Sequence, residues 1–216
     1  QKVSNRCNYE IHFQNIRNSQ FDGVAFLDRD GVIIKEKIYI KDPRDVELNP
    51  GIKDVIEFLN NSNYKVIVIT NQSGIERGYF SWDEYLGITN KMMQLLGDRP
   101  IVHSIYACGA INNFSCDWRK PGIGMIHKGW SRNLIETKNS ILIGDKSSDI
   151  ETGIRANIRK LFHVLTGHGE TEKENVRDLI NKSEYLFESE KYSGNLFFQN
   201  HNLYDLLYDL KKVIET

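Results

Sequence analysis

Three short runs limit what this chain can fold into: residues 24–28 (VAFLD), 64–71 (YKVIVITN) and 140–145 (SILIGD). Each is apolar at consecutive positions, not at alternate ones. Successive side chains of a strand point to opposite faces, so a run without alternation has to be buried on both. Strands of that kind belong in a parallel sheet covered by helices on each side.

The intervening segments supply those helices. Residues 51–63 place Ile52, Val55, Ile56 and Leu59 at helical spacing, and residues 81–97 open with Ser81 three positions before Glu84, the pattern of a capping box. Residues 101–109 predict a further strand, 122–134 a helix, 147–157 another helix and 159–167 a fifth strand. This alternation predicts an α/β fold, a three-layer sandwich around a mostly parallel, Rossmann-like sheet. Residues 35–50 are polar with two prolines and read as a loop or small hairpin. The tail from 171 begins as a helix, is ambiguous over 185–201, and ends with Leu203, Leu206, Leu207, Leu210 and Val213 on one helical face. That face is expected to pack back on the domain, with partner binding as the alternative.

The polar residues that end these strands carry the chemistry. In FLDRDGVI, Asp28 and Asp30 flank Arg29, and two carboxylates so close repel unless a cation or a shared proton compensates. Thr70 and Asn71 end the second run and Asp145 the third. Ligands of open parallel sheets sit outside the carboxyl ends of the strands, where such residues converge. Asp28, Asp30 and Asp145 can provide the oxygen ligands that Mg²⁺ requires. Lys120, its direction restricted by Pro121, can hold carboxylate and phosphate oxygens together. Thr70, Asn71 and Gln72, followed by Ser73 and Gly74, can donate to phosphoryl oxygens. A site so equipped suits phosphoryl transfer, in which one carboxylate attacks phosphorus and a second protonates the departing oxygen.

In these residues the chain resembles the haloacid dehalogenase superfamily of phosphohydrolases. DRDGV matches its first motif, VIVITNQ its second, the lysine of RKPG its third and IGDKSSDI its fourth, in that order across residues 24–167. The resemblance implies Asp28 as nucleophile, Asp30 as general acid and base, and Thr70 and Lys120 on the transferring phosphoryl group. It also implies a Mg²⁺ site at Asp28, Asp145 and the backbone carbonyl of Asp30, with Asp149 in support. FLDRDGVI, TNQSGIERGYF, CDWRKPG and IGDKSSDI look most like the branch containing the heptose 1,7-bisphosphate 7-phosphatases and histidinol-phosphate phosphatases, capless or nearly so. Arg29, Asn71, Gln72, Ser73, Arg77, Arg119 and Lys146 are the candidate substrate-binding residues. Members of the branch often carry a zinc loop, but here Ala110 and Trp118 stand where a histidine and a cysteine are expected. Cys108 and Cys116 alone cannot complete a four-coordinate site, so no structural zinc is expected.

Plainer readings compete at several positions. Asp28 and Asp30 can cap a turn, Asp145 a helix, and Asp149 can serve a helix dipole. Thr70 can be an ordinary strand residue, while Arg77, Arg119 and Lys146 can be solvated. His127 and His163 read as packing or surface residues.

With 40% apolar residues in 216, one substantial core can form without disulfides. The expectation is a single phosphatase domain over 1–216, with a catalytic core at about 22–168 and a helical extension over about 171–216. The 28 basic and 29 acidic side chains give no global pull toward nucleic acid or anionic lipid. Three cysteines and no long apolar run fit a soluble, cytoplasmic protein, expected to be monomeric. The leading function is Mg²⁺-dependent removal of the 7-phosphate from heptose 1,7-bisphosphate through an aspartyl-phosphate, in nucleotide-activated heptose biosynthesis. The alternatives are a histidinol-phosphate phosphatase, a 3′-phosphate nucleic-acid end phosphatase and a non-catalytic binding module.

Overall fold

In the computed structural model, which describes residues 2–3, 7–13, 20–114, 116–131, 139–188 and 194–214, nine strands among the described residues share one sheet. They are β1 (Lys2–Val3), β2 (Asn8–His12), β3 (Gly23–Leu27), β4 (Tyr64–Asn71), β5 (Ser104–Cys108), β6 (Ser140–Gly144), β7 (Lys160–Val164), β8 (Leu186–Phe187) and β9 (Leu196–Asn200). The helices are α1 (Ile52–Asn61), α2 (Trp82–Leu96), α3 (Gly124–Ser131), α4 (Ser147–Arg155), α5 (Gly169–Asn181) and α6 (Leu203–Ile214). Laterally the strands run β1-β2-β5-β4-β3-β6-β7-β9-β8, parallel from β5 to β8, with β2 antiparallel to β5 and β1 to β2. The chain winds outward from β3 through β4 to β5 on one side, and from β6 to β7 on the other. The order therefore reverses between β3 and β6, where a parallel sheet opens a crevice at its carboxyl edge.

Both faces of the sheet are apolar, as unbroken runs require. Ala25, Leu27, Val66, Val68, Ile141 and Ile143 pack with Val55, Ile56 and Leu59 of α1, Ile88 and Met92 of α2, and Leu206 and Leu210 of α6. Their neighbours in sequence, Val24, Phe26, Ile67, Ile69 and Leu142, meet Met125 and Ile126 of α3, Ile150 of α4 and Val176 and Ile180 of α5. Alternate residues thus serve opposite cores. The capping box at α2 forms as read: the Glu84 N–H donates to Ser81 Oγ and the Ser81 N–H to Glu84 Oε2.

Some elements depart from the reading. Of the helix expected over 122–134, α3 accounts for 124–131 and the rest lies outside the described residues. The loop over 35–50 holds a single 3-10 turn at Pro43–Asp45 and a bridge between Ile34 and Leu48. The extension is not purely helical, because its ambiguous stretch supplies β8 and β9. Leu196, Phe197 and Phe198 are buried in succession, the same signature as the central strands. The apolar face of α6 is spent on α1 and the sheet, so it is not free for a partner. Strand β2 went unread because NYEIH carries a charge where a core residue would stand. Glu10 is nonetheless buried, its carboxylate 3.2 Å from both Lys128 Nζ and His12 Nε2. No helix among the described residues is long and apolar enough to cross a membrane.

His103 ties β4 to the lead-in of β5. Its N–H donates to the Val66 carbonyl and its ring Nδ1 accepts the Val66 N–H, each at 2.9 Å. Burial, assisted by the charge of Lys65, lowers its pKa to about 4. The folded state thus keeps the ring neutral while an unfolded chain protonates it near pH 6.5, so its contribution is complete above pH 6.5 and is lost as pH falls toward 4. Urea titrations should show the wild type losing roughly 1 to 2 kcal/mol more between pH 7 and pH 5 than His103→Asn, whose amide oxygen can accept the same N–H. Parallel pH profiles for the two proteins would show that His103 is not the sensitive group.

Candidate active site

The carboxyl ends of β3, β4 and β6 converge as the switch in strand order requires. Asp28 follows β3 directly, its N–H donating to the Ile143 carbonyl of β6 at 3.0 Å. Asp145 follows β6, and Asp149 sits in the first turn of α4. One oxygen from each of Asp28, Asp145 and Asp149 lies within 4.8 Å of the others, and all three residues are buried. Lys120 enters from the loop before α3, with its peptide to Pro121 in the cis form. Its Nζ lies 2.9 Å from Asp28 Oδ1, 2.5 Å from Asp149 Oδ1 and 3.0 Å from the Ile69 carbonyl. Asn71, the last residue of β4, holds the lysine backbone by donating to its carbonyl at 3.1 Å and accepting its N–H at 3.0 Å.

The charges do not cancel. Burial and the neighbouring Asp28 charge push Asp145 up to about 9; burial and Asp149 push Asp28 up to about 6. Burial alone would lower Lys120, but Asp149 and Asp28 outweigh it and raise its pKa above the ordinary value. Asp145 Oδ2 accepts the His168 N–H at 2.8 Å, whereas its buried Oδ1 has no hydrogen-bond partner. An orphaned carboxylate oxygen among crowded like charges is what a hard, oxygen-seeking divalent cation satisfies, so the donor set fits Mg²⁺. Gly31, at φ +84°, lets the chain pass this carboxylate, since a Cβ there would stand 2.2 Å from Asp145 Oδ2. Among the described residues no other group of three metal-capable side chains comes together.

Beside this cluster opens a cavity of about 270 Å³ whose walls include Arg29, Asp30, Asn71, Gln72, Ser73 and Lys146. The Asp30 carboxylate stands apart from the other three. Arg29 donates to both of its oxygens, at 3.1 and 2.9 Å, and Gln72 Nε2 to Oδ2 at 2.8 Å. Burial would raise the Asp30 pKa, but Arg29 and Gln72 win and hold it below the usual carboxylate range. Thr70 is fully buried, its Oγ1 accepting a second bond from Gln72 Nε2. Two expected residues are not brought in: Arg77 is exposed, and Arg119, half-buried, donates to the Ala110 carbonyl at 2.8 Å, and neither lines the cavity.

Sequence reasoning passed over two contributors. Glu36 lines the cavity with Oε1 3.6 Å from His168 Nε2 and Oε2 3.7 Å from Lys146 Nζ. The one available signal was a glutamate in the polar loop after the first strand. His163, read as packing or surface, is fully buried on β7 with Nε2 2.9 Å from the Asp145 carbonyl. A histidine amid KLFHV was the hint, because an imidazole buried in a strand needs two partners.

A family model described as polynucleotide kinase 3 phosphatase matches residues 23–185. The D-glycero-alpha-D-manno-heptose-1,7-bisphosphate 7-phosphatase of Photorhabdus laumondii is 40% identical over 157 residues, covering 69% of this chain and 86% of the relative. The enzyme of the same description from Campylobacter jejuni is 35% identical over 162 residues, covering 74% and 92%. Among solved structures, the D,D-heptose 1,7-bisphosphate phosphatase from B. bronchiseptica, complexed with magnesium and phosphate, superposes with a TM-score of 0.72 at 24% identity, covering 88% of this chain and 98% of that one. A had-like phosphatase structure from Mesorhizobium loti has a TM-score of 0.77 at 24% identity, covering 99% and 95%. These two structural likenesses establish the fold.

The cluster makes a prediction about stability. Saturating Mg²⁺ should raise the wild-type melting temperature by about 5 °C or more over an EDTA sample. Asp145→Asn should melt no lower than wild type in EDTA, because a neutral amide replaces a carboxyl group whose ionisation the site disfavours, and should lose most of the Mg²⁺ response. An equal Mg²⁺ shift in both proteins would place the cation elsewhere.

Proposed function

As this chain belongs to the haloacid dehalogenase superfamily of phosphohydrolases, we propose that it removes the 7-phosphate from D-glycero-D-manno-heptose 1,7-bisphosphate. The observation that carries the reading is the buried group of Asp28, Asp145 and Asp149, braced by Lys120 at the edge of a polar cavity. The substrate follows from the relatives, named for this reaction at 40% and 35% identity over most of both chains. The proposed setting is the cytoplasm, the proposed state a monomer acting on a small sugar phosphate.

The proposed roles are those the family resemblance implies, and the geometry is compatible with them. Asp28 and Asp145, with the Asp30 backbone carbonyl, would hold Mg²⁺, which when bound neutralises carboxylate and phosphate charge together. The Asp28 carboxylate attacks phosphorus, forming an aspartyl-phosphate as the bond to the sugar oxygen breaks. Lys120, already 2.9 Å from Asp28, steadies the transferring phosphoryl group, together with Thr70 and the Ser73 region. Asp30 gives its proton to the departing sugar oxygen and then takes one from the water that cleaves the acyl phosphate. Pairing with Arg29 keeps Asp30 ionised, suited to the second step, so for the first it must give up that pairing and take a proton from solvent, which it then delivers to the substrate oxygen. Lys146 and Arg29, which line the cavity together with Lys37, are proposed to meet the substrate's anionic groups; Arg77 and Arg119 are not among its walls.

The family model favours a second reading, removal of a 3′-phosphate from a nucleic-acid end. A net charge of −1 gives that reading no electrostatic support. With Mg²⁺, phosphate release should be fastest from one anomer of the heptose bisphosphate, slower from histidinol phosphate and slowest from a 3′-phosphorylated oligonucleotide. Asp28→Asn should lower the preferred turnover on the order of 10³-fold or more. Faster release from the oligonucleotide or from histidinol phosphate would reassign the substrate, and an active Asp28→Asn would remove the nucleophile.

A further inference from the structure

We propose that Cys108 and Cys116 form a reversible disulfide controlling the loop that carries Arg119 and Lys120, an inference that draws its activity readout from the phosphatase reading above. The two Sγ atoms lie 3.5 Å apart, with the Cys108 thiol directed at Cys116. Cys108 ends β5 and is fully buried; Cys116 stands across an arch of intervening residues and is 8% exposed. A disulfide needs about 2.05 Å between sulfurs, so thiols already in contact must close by roughly 1.5 Å. The arch can yield that much, because Ile111, Asn112, Asn113 and Phe114 are all exposed. The Cys116 thiol donates to Asn8 Oδ1 at 2.9 Å, a weak bond that closure gives up at little cost.

The chemistry balances with a low-molecular-weight disulfide as oxidant. The Cys116 thiolate, on the more open side, attacks one sulfur of the oxidant and expels a thiolate. Cys108 then attacks the Cys116 sulfur of the mixed disulfide, expels the second thiolate and passes its own proton to it. Two protein thiols and one small disulfide become one protein disulfide and two small thiols.

Closure reaches the site through a short stretch of backbone. The Arg119 N–H donates to the Cys116 carbonyl at 3.3 Å, and Lys120 follows, its backbone pinned by Asn71 and its ammonium on Asp28. Drawing Cys116 toward Cys108 pulls against the Asn71 clamp and moves the lysine from its place. Displacements near 1 Å in such groups lower turnover strongly. Cys7 is the competitor to separate: it is half-buried, and its carbonyl accepts the Gly109 N–H at 2.6 Å.

The test treats the full chain with glutathione disulfide, alkylates residual thiols and maps peptides by mass. Initial rates on the heptose bisphosphate are taken before oxidation, after it, and after dithiothreitol. The expected result is a Cys108–Cys116 link, a rate lowered about fivefold or more and its recovery on reduction. Cys7→Ser should behave as wild type, while Cys108→Ser and Cys116→Ser should lose both link and response. A link through Cys7, glutathione retained on Cys116, or a Cys108–Cys116 link without change in rate would overturn the proposal. If the reduced protein hydrolyses no ester the functional reading fails, and the peptide map still decides whether the disulfide forms.

Discussion

One buried ammonium holds the carboxyl edge of this sheet together. Lys120 reaches two carboxylates and a backbone carbonyl at once, and with only a few per cent of its surface exposed it has no water to fall back on. A buried ion pair is a weak source of stability, yet removing one partner leaves a charge stranded at a cost of several kcal/mol. Asp28 comes from the end of β3 and Asp149 from the start of α4, so the lysine couples two elements that are distant in sequence. Asn71 extends the coupling to β4, because its side-chain amide satisfies the lysine backbone on both sides. The ends of two strands and the start of one helix therefore answer to one residue.

That brace leaves a deficit which the fold keeps. One lysine faces Asp28 and Asp149 while Asp145 has an oxygen with no donor, and the Lys146 ammonium is shared with Glu36. A chain built only for stability would replace one carboxylate with an amide. Keeping all three means carrying repulsion that a bound cation and phosphate relieve, the usual relation between a strained site and its ligand. Asp30 follows the opposite logic. Arg29 and Gln72 hydrogen-bond its oxygens, separating it chemically from the cluster although only Arg29 stands between it and Asp28 in the chain.

What could be read from the residues follows from the range of the forces. The central strands were legible because burial on both faces leaves an unbroken apolar run, as in VAFLD and SILIGD. The convergence of Asp28 and Asp145 was legible because strand ends in a parallel sheet meet on one edge, whereas loop residue Lys120 was read from the resemblance of RKPG to the family's third motif. Strand β2 was not, since pairing with β5 and an ion pair at Glu10 hold it where apolar pattern does not. The places of Arg77 and Arg119 were not either, because a loop guanidinium is steered by whichever carbonyl it finds, here that of Ala110 for Arg119.

The C-terminal extension shows how a segment without a motif can bear on the site. Arg177 of α5 donates from Nε to Gln199 Oε1 at 3.0 Å, which fixes the amide of Gln199 on β9 with its nitrogen toward His163. That nitrogen donates to His163 Nδ1 at 3.0 Å, so the imidazole carries its proton on Nε2 and donates it to the Asp145 carbonyl at 2.9 Å. Each partner leaves the next only one tautomer or orientation that satisfies every atom. The direction set by an exposed arginine thus arrives, three hydrogen bonds later, at the backbone of the carboxylate that ends β6. Residues that read as an undecided tail are part of what aims Asp145 at the cavity edge.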